Sequence, residues 1–173
     1  MKTTSQPIFL VEDNSLYAST LEKYLQSHLN SRSKIRTFLN GEDCIKNLGL
    51  NPKIVVVDYF LNSSSPEAMN GLDLLKRIKI SNPETTVLML SSQDDMLVAT
   101  ETMKYGAFDY VSKNENAFLR IENAINNIEK IISQSIQIKI NRQIKLILIT
   151  WIVILIAVTV VLQLFFPHLM NRI

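Results

Sequence analysis

The stretch Ile54-Val55-Val56-Val57-Asp58 carries four apolar residues to a single carboxylate. A continuous apolar run of this kind is typical of a central parallel strand, because helices cover both faces of such a sheet. Three other apolar runs, at residues 8–11, 87–90 and 110–111, are likewise followed by polar residues. If all four are parallel strands, their polar ends meet at one edge of one sheet, where sheets of this class bind ligands.

Amphipathic segments alternate with the apolar runs along the first 130 residues. Strands are predicted at residues 8–11, 34–38, 53–58, 86–90 and 108–111, and helices at residues 14–29, 41–48, 71–80 and 94–104, with a last helix from residue 116. With right-handed crossovers and helices on both faces, this order predicts an α/β fold, a (βα)5 doubly wound parallel sheet.

The sequence pattern also predicts the positions of individual side chains on the helices. The first helix places apolar and aromatic residues at helical spacing, namely Leu16, Leu21, Tyr24, Leu25 and Leu29. Cys44 is expected to face the core from the second helix. Asp94 is expected to cap the fourth helix.

Charge is distributed unevenly along the 173 residues. All 16 acidic residues lie at or before Glu129, where 13 Lys or Arg residues leave a balance of −3, and the rest of the chain carries five basic residues and no acid. A uniformly basic nucleic-acid binder would not have this pattern. The single cysteine excludes an internal disulfide and a cysteine-built zinc site. The polar start of the chain is not expected to be a secretory leader.

Residues 146–166 form a run of 21 residues without a charge. As a helix, this run would be roughly 30 Å long, the thickness of a bilayer core. We predict a transmembrane helix; the alternative is a buried core helix. Lys139, Arg142 and Lys145 precede the run and only Arg172 follows it, so the positive-inside rule predicts a single-pass protein of the inner (cytoplasmic) membrane with its N-terminal domain in the cytoplasm.

Isoleucines recur every three or four residues before this run, at Ile121, Ile125, Ile128, Ile132, Ile136, Ile140 and Ile144. The early ones are expected to pack on the sheet. The later ones lie in a juxtamembrane helical linker, predicted at residues 131–145, between a domain at residues 6–130 and the membrane helix. A tail at residues 167–173 would follow. Parallel self-association into a homodimer through residues 116–145 is an open alternative.

Five elements in chain order resemble the receiver domain of two-component response regulators. They are the segment Ile8-Phe9-Leu10-Val11-Glu12-Asp13-Asn14, Asp58, Ser91, the pair Asp109-Tyr110, and Val111-Ser112-Lys113. The resemblance covers roughly residues 6–130 and implies a flavodoxin-like receiver fold, chemotaxis-regulator-like, with its site at the carboxyl ends of the strands.

Three carboxylates come together in this arrangement, those of Glu12, Asp13 and Asp58. Such close carboxylates repel one another, and a hard divalent cation relieves the repulsion. The resemblance implies that the cation is Mg²⁺ and that the backbone carbonyl of Phe60 is a further ligand. Taken alone, Glu12-Asp13 would be an ordinary solvated helix start.

Asp58 is the phosphoacceptor that the resemblance implies. Its carboxylate would attack the phosphoryl group of a phosphohistidine, Lys113 would offset charge on the phosphoryl oxygens, and Ser91 would donate a hydrogen bond. Ser91 and Tyr110 would form the switch that reports phosphorylation, although Tyr110 could also be a static packing residue. His28 is interpreted as a helix-surface residue.

The chain departs from the receiver pattern in three places. Asn114 follows Lys113 where receivers commonly have a cis proline, so this bond is expected to be trans, with Lys113 placed differently. The loop between Asp58 and Gly71 is about five residues longer than in typical receivers, and Asn62 stands where proline is frequent. Phe60 is bulky at a position that influences access of water, which suggests a long-lived phosphoryl group.

The functional hypothesis is a membrane-tethered receiver that a histidine kinase or phosphotransfer protein phosphorylates on Asp58. It would signal by contact with an effector protein of unknown identity, with no DNA-binding output domain and no direct contact with nucleic acid. It would promote its own phosphoryl transfer rather than act as an enzyme. The alternatives are a phosphorylation-independent membrane scaffold that uses the receiver fold, and a phosphate sink that drains a kinase.

Overall fold

A computed structural model of the chain describes residues 6–29, 34–61, 68–92 and 95–165. The strands are β1 (Ile8–Val11), β2 (Ile35–Phe38), β3 (Ile54–Asp58), β4 (Thr86–Ser91) and β5 (Asp109–Ser112). The helices are α1 (Ser15–His28), α2 (Gly41–Lys46), α3 (Gly71–Ser81), α4 (Met96–Lys104) and α5 (Ala117–Phe165), with a 3-10 turn at Leu48–Leu50.

All five strands belong to one parallel sheet in the order β2-β1-β3-β4-β5. The order reverses between β1 and β3, and such a reversal opens a crevice at the carboxyl ends of the strands. The (βα)5 doubly wound prediction is therefore confirmed. β1 and β3 are buried along their whole length, as their continuous apolar sequences predict.

The predicted helices also form, with small differences at their ends. The second helix was expected to reach residue 48, but it ends at Lys46 because the Asn47 N–H turns back to Cys44 and the chain continues as a 3-10 turn. Cys44 is buried, as predicted. Asp94, the predicted cap of the fourth helix, lies outside the described residues; the cap of α4 is Asp95, whose carboxylate accepts the Leu97 N–H.

The residues of α1 that share the helical spacing are not all buried. Ala18, Leu21 and Leu25 are buried, whereas Leu16 is 75% exposed. Leu16 lies in the first turn of α1, where its spacing fits the helical period but its side chain does not face the sheet.

Gly71, the first residue of α3, lies against the end of β3. Its N–H donates to the Tyr59 carbonyl at 2.9 Å. A Cβ at this position would lie 2.1 Å from the Asp58 carbonyl oxygen and 2.7 Å from Tyr59 Cα, so only glycine fits. The loop before it was predicted to be unusually long; its residues 62–67, including Asn62, lie outside the described residues.

The chain divides into two compact units, Met1–Ile128 and Glu129–Ile173. In the second unit, α5 continues to Phe165. Its apolar side chains from Ile144 to Leu162 are exposed, and by length and composition α5 is a candidate membrane span. The linker at residues 131–145 and the span at residues 146–166 stay predictions, and the tail at residues 167–173 lies outside the described residues.

Candidate metal and phosphoacceptor site

The carboxyl ends of four strands bring polar side chains to one edge of the sheet. Val11 pairs with Val57 across β1 and β3, so Glu12 and Asp58 follow paired residues. Ser91 pairs with Ser112 across β4 and β5, which places Lys113 immediately beyond the same edge. Parallel register thus produces the grouping that the strand ends predict.

The three carboxylates form a compact group. One oxygen from each of Glu12, Asp13 and Asp58 can be chosen so that all three lie within 4.8 Å of one another. Glu12 and Asp58 are only 1% and 3% exposed. Buried carboxylates this close need a compensating cation.

The donor set fits Mg²⁺. All three side chains offer hard oxygen ligands, which suit this ion. Glu12 Oε2 is buried and lies 2.7 Å from Lys113 Nζ, so a metal ion would take the place of the ammonium at this oxygen. Receiver domains typically bind Mg²⁺ in such an acidic pocket. The role of the Phe60 carbonyl stays a prediction; the Phe60 N–H donates to Asp58 Oδ1 at 3.3 Å.

Lys113 supplies a cation to the same carboxylates. Its Nζ lies 2.8 Å from Asp58 Oδ2 and 2.7 Å from Glu12 Oε2. The backbone N–H of Lys113 donates to the Ser91 carbonyl at 2.7 Å, which fixes the loop after β5 to the end of β4. The Lys113–Asn114 bond is trans, as expected, and the ammonium nevertheless reaches both carboxylates.

Burial is the largest influence on the pKa values of the Glu12 and Asp58 carboxyl groups. Desolvation raises the pKa of Glu12 to about 7, with the hydrogen bond and charge of Lys113 acting in the opposite direction and the charge of Asp58 in the same direction. Desolvation also raises the pKa of Asp58, against Lys113 and the Phe60 N–H. In both groups burial disfavours the ionised form, and Lys113 offsets this only in part.

These shifts predict how the stability of the metal-free protein depends on pH. The pKa of Glu12 is 4.5 in the absence of its surroundings and about 7 in the folded protein, so between these values the folded state binds more protons than the unfolded state. A stabilisation of roughly 3 kcal/mol is therefore expected in full below pH ~4.5 and is lost as the pH rises through ~7. Denaturant titrations in a chelating buffer measure this loss.

Glu12→Gln is the control for the titration, because glutamine has no proton to lose. Its stability should fall less steeply over the same pH range, with Asp58 accounting for what remains. Equal slopes for the variant and the native chain would exclude Glu12 as the titrating group.

The predicted switch residues lie on β4 and β5, on the side of β3 away from β1. Ser91 is fully buried at the end of β4. Tyr110 is half-buried and packs against the core next to Met89 of the neighbouring strand. Their roles in switching stay predictions. His28 is exposed and its ring stacks on Tyr24 with a centroid separation of 4.1 Å, in keeping with its interpretation as a surface residue.

Tyr17 is a residue that the sequence analysis missed. Lys113 Nζ lies 4.6 Å from the centroid of the Tyr17 ring. Its position on α1, one turn after Asp13, places it at the site edge. The only hint in the sequence is that an aromatic residue follows Asp13 by four positions. The helical period by itself does not predict that this residue contacts Lys113.

Comparison with known proteins identifies the family of this fold and site. The model of the response regulator receiver domain family matches residues 8–126. The transcriptional regulatory protein CssR of Bacillus subtilis is 31% identical over 109 residues, which cover 63% of this chain and 45% of CssR. The DNA-binding transcriptional regulator NtrC of Escherichia coli is 28% identical over 126 residues, or 71% of this chain and 25% of NtrC.

Two solved receiver domains share this structure at 25% sequence identity. A BeF3-activated DrrB receiver domain has a TM-score of 0.62 and matches 73% of this chain and 98% of its own. The receiver domain of NtrX from Brucella abortus has a TM-score of 0.60 and matches 70% of this chain and 98% of its own. The chain spans less than half the length of the two transcriptional regulators above. Over residues 8–126, it belongs to the response regulator receiver domain family.

Proposed function

We propose that the chain is a membrane-tethered receiver that accepts a phosphoryl group on Asp58 from a histidine kinase or a phosphotransfer protein. The observation that carries this proposal is the grouping of three carboxylates within 4.8 Å with an ammonium 2.8 Å from Asp58. A single strand-ending aspartate could be a local cap. A buried aspartate with a neighbouring metal-binding group and a paired lysine is equipped for phosphoryl transfer.

The transfer uses one Asp58 carboxylate oxygen as the nucleophile. A bond forms between this oxygen and the phosphorus of a phosphohistidine, the phosphorus–nitrogen bond breaks, and its electron pair returns to the imidazole. Lys113 stabilises the charge on the phosphoryl oxygens, and the Ser91 hydroxyl donates to one of them. Mg²⁺, held by Glu12, Asp13 and Asp58, would supply further charge compensation.

The membrane part of the proposal is supported by the second unit of the chain. The described part of this helix exposes its apolar side chains from Ile144 to Leu162, which is unfavourable in water. Basic residues at Lys139, Arg142 and Lys145 precede the apolar run, as in cytoplasmic flanks of membrane helices. The tether would hold the receiver at the cytoplasmic face of the membrane, where it would signal through an effector protein.

Acetyl phosphate tests the phosphorylation. The full chain, purified in detergent, is incubated with acetyl phosphate and either Mg²⁺ or a chelator, and its intact mass is followed. A gain of one phosphoryl group that requires Mg²⁺ is expected. An unchanged mass with Mg²⁺ would favour the phosphorylation-independent scaffold. Once phosphorylated, the chain should retain the group well beyond seconds if Phe60 restricts water.

Charged substitutions within the apolar run test the tether. Ile152→Lys combined with Ile156→Lys places two charges near the middle of the predicted span, at a cost of about 6 kcal/mol in a bilayer. The double variant should move from the carbonate-washed membrane pellet to the soluble or aggregated fraction. Ile152→Leu with Ile156→Leu is the matched control and should stay in the pellet. Equal recovery of both variants would contradict the membrane span.

A further inference from the structure

Three groups surround the ammonium of Lys113. Two are the carboxylates of Glu12 and Asp58, at 2.7 and 2.8 Å. The third is the face of the Tyr17 ring, whose centroid lies 4.6 Å from Nζ. The Lys113 side chain is only 15% exposed, so little water competes with these contacts. An ammonium within about 6 Å of a ring face is attracted to it, and more strongly when it is desolvated.

The Tyr17 ring is itself held in place. Phe118, in the first turn of α5, meets it edge to face with centroids 5.3 Å apart and planes at 83°. Phe118 also contacts Tyr24, which lies about two turns further along α1, with centroids 5.4 Å apart. Aromatic packing between α1 and α5 thus fixes the ring, whereas the lysine side chain has four rotatable bonds.

The ring differs from the two carboxylates in what it can bind. Glu12 and Asp58 are the groups that would take up a metal ion and, at Asp58, the phosphoryl group. The hydroxyl of Tyr17 is buried and has no hydrogen-bond partner within the described residues. Burial, followed by the charges of Glu12 and Asp58, raises the pKa of Tyr17 to about 12, so the ring stays neutral. It is therefore the contact of Lys113 that metal binding and phosphorylation leave intact.

We propose that Tyr17 is a positioning residue, which holds the Lys113 ammonium beside Asp58 through the face of its ring. The proposal rests on phosphorylation of Asp58, since Lys113 is argued to act on the transferred phosphoryl group. The ring contact restricts the lysine side chain while its carboxylate partners exchange it for other ligands. Tyr17 would act through Lys113 and not on the reacting atoms.

Phosphorylation rates of the full chain test this role. With acetyl phosphate and Mg²⁺, Tyr17→Leu should lower the rate constant about five- to tenfold, as expected for loss of a partly buried cation–π contact. Tyr17→Met, which fills similar space without a ring, should show the same loss. Tyr17→Phe keeps the ring face and should retain most of the rate, because the lost hydroxyl has no partner. Thermal unfolding confirms that each variant is folded.

Tyr24→Leu is the matched control. Tyr24 lies on the same helix and contacts the same Phe118 ring, and its hydroxyl donates to Glu122 at 2.7 Å. Its rate constant should stay within about twofold of the native value, since the substitution weakens the packing of α1 against α5 and the stacking with His28 but leaves the Tyr17–Lys113 contact in place. A loss as large as that of Tyr17→Leu would show that packing, not the lysine contact, sets the rate.

A double-mutant cycle separates positioning from packing. If Tyr17 acts through Lys113, then Tyr17→Leu should have little further effect when Lys113 is already alanine. An equal fold-loss in both backgrounds would overturn the proposal, as would a Tyr17→Phe rate as low as that of Tyr17→Leu. These outcomes presuppose a phosphorylated native chain, whereas failure of the native chain to gain a phosphoryl group would overturn the proposed function itself.

Discussion

Replacing Asp58 with asparagine is expected to abolish phosphorylation of the chain by acetyl phosphate. The amide is a poor nucleophile and cannot form the acyl phosphate. It also removes one carboxylate from the metal-binding group and the 2.8 Å ion pair with Lys113. Intact-mass measurement in the presence of Mg²⁺ should show the unmodified mass over the time in which the native chain gains one phosphoryl group.

Asp73→Asn provides the control for this loss. Asp73 is an exposed carboxylate in the first turn of α3, and the same chemical change there leaves the site untouched. This variant should be phosphorylated at the native rate. If Asp58→Asn is phosphorylated as fully as the native chain, another residue is the phosphoacceptor and the assignment of Asp58 is refuted.

Replacing Gly71 with alanine is expected to destabilise the receiver unit by on the order of 3 kcal/mol or more. The added Cβ would lie 2.1 Å from the Asp58 carbonyl oxygen and 2.9 Å from its carbonyl carbon. These are backbone atoms at the end of a fully buried strand, so rotation of a side chain cannot relieve the overlap. Either α3 or the end of β3 has to move. A movement of β3 would displace Asp58, the proposed phosphoacceptor.

The matched variant is Gly49→Ala in the 3-10 turn. A Cβ at Gly49 meets no atom within 4 Å, so its denaturation midpoint should stay close to that of the native chain. Denaturant titration followed by circular dichroism measures both variants. Comparable stability of Gly71→Ala and Gly49→Ala would show that the close approach of Gly71 to β3 is not maintained in solution.

The strands were the most predictable part of the fold, because a continuous run of apolar residues directly indicates a strand that is buried on both faces. Four apolar residues before Asp58 fit a strand covered on both faces, and the sheet buries all of them. Helical periods carry less information. Leu16 fits the period of α1 but is exposed, because the period gives the spacing of a face and not which end of it reaches the core.

The site was predictable as far as it depends on strand ends. Glu12 and Asp58 follow paired positions in adjacent strands, so parallel pairing alone brings them together. The contact between Lys113 and Tyr17 could not be predicted in this way. It depends on how α1 packs beside the loop after β5 and the start of α5, where Phe118 contacts the Tyr17 ring, and not on sheet register.

The position of Lys113 also gives the metal site a built-in competitor. A metal ion that binds Glu12 Oε2 has to displace an ammonium 2.7 Å away, and this ammonium belongs to the chain, so dilution never removes it. Magnesium uptake would therefore be an exchange of one cation for another rather than the filling of a vacant anionic site. The energy of the Lys113 contacts would set the magnesium concentration at which the exchange occurs, and with it the threshold at which the proposed phosphoacceptor site becomes ready for a donor.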